Sequence, residues 1–426
     1  MTLGIIADDL TGATDAASAV RRTGLRVALT FGPPSPENAL DVGADVVVAA
    51  LKIRSLPVAE AVQAVRTTLT AFDEADVECV YYKYCSTFDS TPTGNIGPVA
   101  DELLTALGKR VLLHVPGYPV NGRTVYNGHL FVDGVLLNES PMRHHPLNPM
   151  SDALLSRVLA PQTPHQIENL VFAFLHVGSA ASETELRRLT AGDVPVHVLC
   201  DTLTNDHVSI LADLATPERM AGGGAPMAAA VCAHRIGRHG TDSPSDDAAA
   251  GMPPSGHEIV IAGSASAATA RQIAAFPGPV KRLSAAALAD ARTPGHVLAW
   301  AKQQQHDQPA LPVLVSSDAD QGGVTRGPAE LNGRSAAEVV ERGLGEIAAR
   351  LVEAGARRVV VAGGETSGAV AGALGLSSVR VGAEICTGVP WTFTPTDDLA
   401  IAFKSGNFGP DDLFSRAFAT LRSMRP

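Results

Sequence analysis

The length, composition and charge of the chain exclude several classes of function. Its 426 residues exceed one typical domain and 45% of them are apolar, so we expect two domains with sizeable cores. Aromatic residues make up only 4%, and the formal net charge is −11. Both values argue against a nucleic-acid partner, because phosphate backbones need a basic face and single strands need stacking rings.

We expect neither a targeting segment nor a membrane partner. The chain opens directly into an apolar stretch with no basic region before it, and no apolar run approaches the ~20 residues that span a bilayer. The five cysteines are odd in number and contain no C-x-x-C pair, which argues against zinc and thioredoxin-like sites. Reduced thiols in a cytoplasmic protein are therefore expected.

The first motif places carboxylates at the end of the first predicted strand. Residues 3–7 form a short apolar run typical of a central parallel strand, and Asp8 and Asp9 follow it. Thr11-Gly12 interrupts the pattern, and residues 13–22 are predicted to be helical. Ligands of open α/β sheets bind just past the carboxyl ends of strands, so both aspartates are candidates for an acid or base. An equal alternative is that Asp9 or Thr11 only caps the helix.

Short β-branched runs recur along the chain with helical stretches between them. The further predicted strands are 26–31, 45–51, 79–83, 110–115, 170–174, 196–200, 258–262, 311–316 and 357–362. This alternation predicts an α/β fold of two domains, each with a mostly parallel sheet flanked by helices.

One polar segment interrupts this alternation of strands and helices. Residues 234–256 are rich in Gly, Pro, Ser and Asp and contain almost no large apolar side chain, which indicates a linker or mobile loop. We place the domains at 1–235 and 257–426, with 236–256 between them. A site between two such domains could close on its ligands.

A second polar cluster follows the predicted strand 79–83. Its candidate binding residues are Lys83, Ser86, Thr87, Asp89, Ser90 and Thr91. The mixture of one cation with many hydroxyls suits a small, hydroxylated, anionic ligand, and an ordinary Ser/Thr turn is the alternative. Arg54, just past the strand 45–51, could bind a carboxylate with its planar fork. Arg123, after the Asn-Gly turn signal at 121–122, could also reach an anion.

Three glycine-rich loops mark the second half of the chain. They are 262–266 and 362–368, each directly after a predicted strand, and 404–409 before a helix start with Pro410 at its first position. Glycines let the backbone approach a ligand closely, and helix N-termini attract phosphate, so the three loops favour a nucleotide over plain tight turns. The Walker, dinucleotide-binding, hydrolase-elbow and protein-kinase signatures are absent.

Four motifs in order resemble those of the four-carbon acid sugar kinases. They are ADDLTGATDAA (7–17), KYCSTFDST (83–91), AGGETSGAV (362–370) and KSGNFG (404–409). Three further segments, KYCSTFDSTPTGNIGPV, NGRTVYNGHLFV and LLNESPMRHHPL, resemble the branch acting on 3-oxo-tetronate, with threonate and erythronate kinases as close relatives. The chain departs from the family at 220–225, where MAGGGA replaces a TGGS-like turn. The segment 234–256 is also longer and more polar than expected.

The resemblance implies an ATP-dependent kinase that phosphorylates the terminal (C4) hydroxyl of a four-carbon sugar acid in an interdomain cleft, with Mg²⁺ on the ATP phosphates. The first domain would hold the sugar acid through Asp8, Asp9, Arg54 and the residues of the 83–91 cluster, to which the turn at 121–122 adds Arg123 as a further candidate. The second domain would hold ATP through Ser264, Gly363, Gly364, Glu365, Thr366, Gly406, Asn407 and Gly409. The sequence does not identify the residues that bind the metal, and it does not decide whether the protein forms a homodimer.

The expected mechanism is in-line transfer of the γ-phosphoryl group, driven mainly by positioning and electrostatics. Asp8 or Asp9 would accept the proton of the attacking hydroxyl, and we favour Asp9 because it lies nearer the helix start. Arg54 or Lys83 would pair with the substrate carboxylate. Two alternatives are an aspartyl-phosphate phosphatase, whose D-x-D-x-T motif is broken here by Leu10, and a sugar-acid sensor without turnover.

Overall fold

A computed structural model describes residues 2–35, 43–144, 148–237, 253–318 and 335–424 of the chain. The chain divides into two compact units, Met1–Pro244 and Ser245–Pro426. Most of the predicted linker, namely residues 238–252, lies outside the described residues.

The first unit alternates strands and helices. Its strands are β1 (Thr2–Ala7), β2 (Val27–Phe31), β3 (Val46–Ala50), β4 (Val77–Lys83), β5 (Val111–Val115), β6 (Arg123–Tyr126), β7 (His129–Val132), β8 (Val135–Leu136), β9 (Gln166–Leu170), β10 (Val196–Cys200) and β11 (Arg219–Gly223). Its helices are α1 (Leu10–Arg21), α2 (Val58–Glu74), α3 (Ile96–Ala106), α4 (Leu155–Leu159), α5 (Phe172–Val177), α6 (Ser179–Leu189), α7 (Asn205–Leu214) and α8 (Ala225–Ile236).

Eight of these strands form one parallel sheet in the order β2-β3-β1-β4-β11-β5-β10-β9. Strands β1, β3, β5 and β10 are buried along almost their whole length, as their apolar runs predict. The register pairs Ala7 with both Ala50 and Lys83, and Lys83 with Gly223. The residues that follow these strand ends therefore lie along one edge of the sheet. A small antiparallel sheet, β6-β7-β8, stands apart from it.

The second unit is also α/β, with a mixed sheet. Its strands are β12 (His257–Ala262), β13 (Val280–Leu283), β14 (Val313–Ser317), β15 (Ala356–Ala362), β16 (Ser378–Cys386), β17 (Val389–Phe393) and β18 (Ala400–Lys404). Its helices are α9 (Ala267–Ala274), α10 (Ala285–Ala289), α11 (Thr293–Asp307), α12 (Ala336–Glu353), α13 (Gly364–Ala373) and α14 (Leu413–Ser423). The strand order is β13-β14-β12-β15-β18-β17-β16. The first five strands in this order pair in parallel. Strand β17 pairs antiparallel with both of its neighbours, β18 and β16.

The predicted α/β class is confirmed, and three local predictions are wrong. Helix α14 begins at Leu413 with Asp412 as its N-cap, so Pro410 is not its first residue. Residues 170–174 are not a strand: β9 ends at Leu170 and Phe172 begins helix α5. Helix α1 begins at Leu10 rather than at residue 13, so Gly12 lies inside its first turn. Among the described residues, no helix combines the length and the apolar character that a membrane crossing requires.

Candidate active site

Asp8 and Arg54 form a buried fork at the carboxyl ends of β1 and β3. Arg54 donates from Nε to Asp8 Oδ2 at 2.7 Å and from Nη2 to Asp8 Oδ1 at 2.8 Å. The side chain of Asp8 is 4% exposed and that of Arg54 is 23% exposed. Burial raises the pKa of Asp8 above its ordinary value, and the Arg54 cation opposes that rise. The bidentate geometry fixes the plane of the guanidinium.

Asp9 is the N-cap of α1 and also faces Arg54. Its Oδ1 accepts the backbone N–H of Gly12 at 2.7 Å and lies 3.1 Å from Arg54 Nη2, while its Oδ2 accepts the Thr11 hydroxyl at 3.0 Å. Burial would raise the pKa of Asp9, but the Arg54 and Lys83 cations and the two hydrogen bonds outweigh burial and lower it. Its side chain is 25% exposed, far more than that of Asp8. Asp9 is therefore both a helix cap and an accessible, ionised carboxylate.

Lys83 completes this cluster from the end of β4. The residue is only 3% exposed, and its Nζ donates to the carbonyl of Tyr84 at 2.9 Å. A Cβ placed on Gly12 would lie 2.4 Å from Asp9 Oδ1 and 3.1 Å from Lys83 Nζ. Glycine in the first turn of α1 thus leaves room for the carboxylate and the ammonium group to approach the helix.

The loop after β4 is folded by its own polar side chains. Thr87 donates its hydroxyl to Asp89 Oδ1 at 2.7 Å and lies 2.8 Å from Cys85 Sγ. Burial raises the pKa of Cys85 to about 12, so this cysteine is a protonated thiol beside the Arg54 cation. Phe88 is completely buried at φ +53°, a left-handed conformation that is uncommon for a bulky residue. Such backbone strain persists where the surrounding structure fixes the loop.

Other residues of the predicted binding set occupy structural positions. Ser90 donates to Gln162 Oε1, which also accepts the N–H of Gly97 near the start of α3. Thr91 lies near the surface, 3.3 Å from the hydroxyl of Thr93, and Ser86 is half-buried. Ser90 therefore anchors the loop to α3.

Arg123 lies in the small antiparallel sheet. It donates to the carbonyl of Asn121, and its backbone pairs with that of Tyr118. Tyr118 in turn donates to Asp15 on α1 at 3.3 Å. Contacts of Tyr118 therefore connect Arg123 and its hairpin to α1, the helix that Asp9 caps. In the described structure, Arg123 has no recorded contact with Asp8 or Asp9.

A buried chain of hydrogen bonds leads from Tyr84 across the sheet, and sequence reasoning missed it. Tyr84 Oη lies 2.9 Å from His114 Nδ1, His114 Nε2 lies 3.0 Å from His197 Nδ1, and His197 Nε2 lies 2.8 Å from Asp101 Oδ1. Since a carboxylate only accepts, His197 donates to Asp101, His114 to His197 and Tyr84 to His114. Burial, together with His197, lowers the pKa of His114 well below its ordinary value. The first three members are fully buried, so this chain fixes the strand ends around Lys83.

The glycine run that departs from the family pattern is a strand and a helix entry rather than a turn. Gly223 ends β11 with φ +145°, and a Cβ there would lie 2.0 Å from the carbonyl oxygen of Val115. The carbonyl of Gly224 accepts the Tyr81 hydroxyl at 2.9 Å, and α8 begins at Ala225. The glycines therefore let β11 lie between β4 and β5.

In the second unit, the three glycine-rich loops meet at the carboxyl ends of β12, β15 and β18. A Cβ on Gly406 would lie 2.4 Å from Ser264 Oγ, and a Cβ on Gly363 would lie 3.0 Å from Thr366 Oγ1. Gly363 has φ +125° and precedes α13, whose first turn has no side-chain cap and begins with Gly364 and Glu365. Uncapped N–H groups beside close-packed glycines are the features that bind phosphate.

The three glycine-rich loops that carry the predicted nucleotide residues are brought together in this way. Lys404 belongs to the KSGNFG motif but was not among the predicted binding residues, and Gln272 was not singled out by the sequence. Lys404 is fully buried at the end of β18, and Gln272 lies on α9. Within the described ranges, no group of three or more His, Cys, Asp or Glu side chains forms a metal cluster.

Comparisons with known proteins identify relatives over nearly the whole chain. Residues 3–231 match the model of the sugar-binding N-terminal domain, and residues 259–414 match that of the nucleotide-binding C-terminal domain. A 3-oxo-tetronate kinase of Brucella melitensis is 38% identical over 98% of this chain and 95% of its own length. One of Burkholderia multivorans is 40% identical over 98% and 97%.

Two solved structures share the fold. A protein of Salmonella typhimurium LT2, provisionally named a tRNA synthase, superposes with a TM-score of 0.84 at 35% identity, covering 98% of both chains. A Haemophilus influenzae protein superposes with a TM-score of 0.77 at 32% identity, covering 98% of this chain and 100% of its own.

Proposed function

The chain belongs to the family of four-carbon acid sugar kinases, in the branch of the 3-oxo-tetronate kinases, and from this premise we propose that it transfers the γ-phosphoryl group of ATP to the terminal (C4) hydroxyl of 3-oxo-tetronate. The products are 3-oxo-tetronate 4-phosphate and ADP. The observation that carries this proposal is the cluster of Asp8, Asp9, Arg54 and Lys83 at one edge of the sheet in the sugar-binding domain.

Arg54 is the better partner for the substrate carboxylate. Its side chain is 23% exposed, whereas Lys83 is almost completely buried and already donates to a carbonyl. Asp8 occupies Nε and Nη2 of Arg54, and the described residues provide no recorded partner for Nη1. In this proposal Nη1 binds the sugar acid and Asp8 holds the guanidinium in place.

Asp9 is the proposed proton acceptor. It is more exposed than Asp8, it is ionised, and among the described residues the Thr11 hydroxyl is the one recorded donor to its Oδ2, so a further proton can be received there. A low pKa is compatible with this role because phosphoryl transfer passes through a loose transition state in which positioning and charge stabilisation dominate. As the C4 oxygen bonds to the γ-phosphorus, the bond to the β–γ bridging oxygen breaks, ADP leaves and the hydroxyl proton moves to Asp9.

The nucleotide substrate is proposed to be the Mg²⁺ complex of ATP, held by Ser264, the turn from Gly363 to Thr366, and the loop from Gly406 to Gly409. This donor set contains backbone N–H groups, hydroxyls and one carboxylate, that of Glu365. These residues would hold Mg²⁺ mainly through the ATP phosphates, since the set offers a single carboxylate. When bound, the ion would supply neutralisation of the negative charge on the phosphates. The homodimer, the cytoplasmic location and the cleft position of the site stay predictions.

The test is an ADP-release assay of the purified protein with 3-oxo-tetronate, 2-oxo-tetronate, threonate and erythronate, with the product phosphate located by NMR. Preferred turnover of 3-oxo-tetronate with phosphate on C4 is expected. Preference for threonate or erythronate would overturn the branch assignment. Binding without ADP release would favour a sensor, and phosphate release in the absence of ATP would favour a phosphatase.

A further inference from the structure

Lys404 is a buried amine that contacts three neutral oxygen atoms. Its Nζ donates to Thr269 Oγ1 at 2.9 Å, to Gln272 Oε1 at 2.6 Å and to the carbonyl of Gly406 at 3.0 Å. Lys404 and Thr269 are fully buried, and Gln272 is 1% exposed. Among the described residues, no carboxylate lies within ion-pair distance of Nζ. An ammonium group held in this way leaves an uncompensated positive charge beneath the 404–409 loop.

The same residues hold the backbone of that loop from below. The carbonyl of Gly406 accepts three donors, since Ser266 Oγ lies at 2.6 Å and Thr269 Oγ1 at 3.0 Å in addition to Lys404 Nζ. The amide of Gln272 lies within 3.0–3.1 Å of three successive carbonyls, those of residues 408, 409 and 410. The carbonyls of Gly406, Phe408 and Gly409 in this loop therefore point inward, toward α9.

A trans peptide directs its N–H opposite to its C=O, and the described chain contains no cis peptide bond. The inward carbonyls of Gly406 and Phe408 therefore turn the N–H groups of Asn407 and Gly409 away from α9. The described residues provide no recorded acceptor for either group. Between them the N–H of Phe408 donates to the carbonyl of Ser405. Backbone N–H groups that face the same side of a turn form an anion-binding concavity.

We propose that Lys404, Thr269 and Gln272 are positioning residues for phosphoryl transfer, which hold the 404–409 loop so that the N–H groups of Asn407 and Gly409 face the nucleotide phosphates. This inference rests on the proposed function, because it takes the nucleotide to bind at these loops. When Lys404 is protonated, its buried ammonium group adds a positive potential beneath the loop.

The test compares three variants with a matched control. Lys404→Met, Gln272→Met and Thr269→Val each remove part of the support beneath the loop. Thr392→Val is the control, because Thr392 is equally buried in the same unit and donates to a backbone carbonyl of β18, but has no recorded contact with the loop. Nucleotide affinity is measured as the Kd for ADP by calorimetry, and kinetics give separate KM values for ATP and the sugar acid.

The expected result is a selective loss of nucleotide affinity. Lys404→Met and Gln272→Met should raise the Kd for ADP and the KM for ATP about tenfold or more, and Thr269→Val about threefold to tenfold, since each removes hydrogen bonds to a charged group or several carbonyls. The KM for the sugar acid at saturating ATP should stay within about twofold. Thr392→Val should lower the melting temperature, because it removes a buried hydrogen bond, and should leave both KM values unchanged.

The proposal is overturned if Gln272→Met and Thr269→Val, both folded, bind ADP as tightly as the unchanged protein, or if Thr392→Val weakens ADP binding equally. These two variants decide the question even if Lys404→Met does not fold. Failure of the proposed function would look different: ADP would bind, and the variants would still weaken it, but none of the four sugar acids would be phosphorylated.

Discussion

The Oδ1 atom of Asp9 accepts the backbone N–H of Gly12 at 2.7 Å, which makes the proposed proton acceptor also the N-cap of α1. The sequence left capping and catalysis as alternatives, and the geometry permits both at once. Because asparagine caps helices as well as aspartate does, the two roles can be separated by substitution.

Asp9→Asn should keep the cap and lose the proton acceptor. We expect kcat to fall about a hundredfold or more, as is typical when a general base is removed. Asp9→Ala should lower kcat equally and should also be less stable than Asp9→Asn by about 1 kcal/mol, because only alanine abolishes the cap. Steady-state kinetics and urea unfolding measure the two effects. Asp45→Asn, which removes the carboxylate of an exposed arginine pair, is the control. Unchanged kcat in Asp9→Asn would remove Asp9 from the role of base.

Arg54→Lys should weaken substrate binding without affecting the nucleotide. A lysine cannot hold Asp8 through two parallel hydrogen bonds and also present a third nitrogen to a carboxylate. We expect the KM for the sugar acid to rise about tenfold or more and the KM for ATP to stay the same. Arg157→Lys is the matched control, because Arg157 makes the same fork with Asp152 at an exposed position. Equal effects of the two substitutions would contradict the assignment.

His114→Phe should destabilise the first unit. It leaves Tyr84 Oη and His197 Nδ1 without their partner in a fully buried position, which costs about 2–4 kcal/mol. A clear fall in the melting temperature is expected, whereas His306→Phe, at an exposed position on α11, should have little effect.

The same histidine predicts a pH dependence. Burial lowers the pKa of His114 in the folded protein, so at pH values between that pKa and about 6.5 the unfolded chain binds more protons at this residue. Its contribution to stability is therefore present above about pH 6.5 and declines on acidification. Melting curves recorded at a series of acidic pH values should show this loss in the unchanged protein and a flatter dependence in His114→Phe. Parallel curves would contradict the prediction.

Nucleotide binding should be coupled to proton uptake at Lys404. Burial lowers the pKa of Lys404 to about 7, against a small opposing effect of Cys386, so near neutral pH part of the population carries a neutral amine. A phosphate close to the amine favours the ammonium form and raises that pKa, so we expect binding to take up a proton and to weaken as pH rises through about 7. Calorimetry of ADP binding at pH 7.5 in Hepes and Tris buffers, whose ionisation enthalpies differ, measures this uptake.

Lys404→Met corrects for protons that belong to the nucleotide itself. In that variant the buffer dependence of the binding enthalpy should be smaller than in the unchanged protein, and an identical buffer dependence would contradict the coupling. The stability of the fold has the opposite pH dependence. Because the pKa of Lys404 is lower in the folded protein than in the unfolded chain, its protonation disfavours folding below about pH 7. This penalty decreases as the pH rises toward about 10.5.

The sequence predicted elements well where the pattern is continuous and apolar. The strand 196–200 agrees with β10 at both ends, and 3–7 agrees with β1 within one residue. The error at 170–174 has a physical reason: β9 lies at the edge of the sheet and carries polar residues, whereas the apolar run after it packs as helix α5. A short apolar run alone does not separate the two structures.

Glycine explains the error at the start of α1, and it also explains why β11 was not predicted. Gly12 was interpreted as a break before α1, but the structure places it in the first turn because Asp9 and Lys83 occupy the space of a side chain. The glycines 222–223 have low strand propensity, yet they form the end of β11, because a Cβ at either position would clash with the neighbouring strands β4 and β5. In both places long-range packing, which the local sequence does not contain, decides the conformation.

The sequence predicted which residues belong to the candidate site better than it predicted which atoms they contact. The strand-end rule indicated Asp8, Asp9, Arg54 and Lys83 correctly as neighbours. It did not indicate that Ser90 bonds to Gln162, 72 residues away, or that His114 bonds to His197, 83 residues away. Single-sequence reasoning has no information on such distant pairs, and the support of Lys404 by Gln272 was missed for the same reason.

The shared register of the strand ends has a consequence for engineering. Backbone hydrogen bonds between strands fix four residues at one level of the sheet, namely Ala7, Ala50, Lys83 and Gly223. The distances between the groups that follow them are therefore set by the strand pairing and not by contacts among those groups. A library confined to side chains just beyond these positions would vary the chemistry of the pocket on a constant scaffold. Acceptance of longer or uncharged sugars could then be selected without redesigning the sheet.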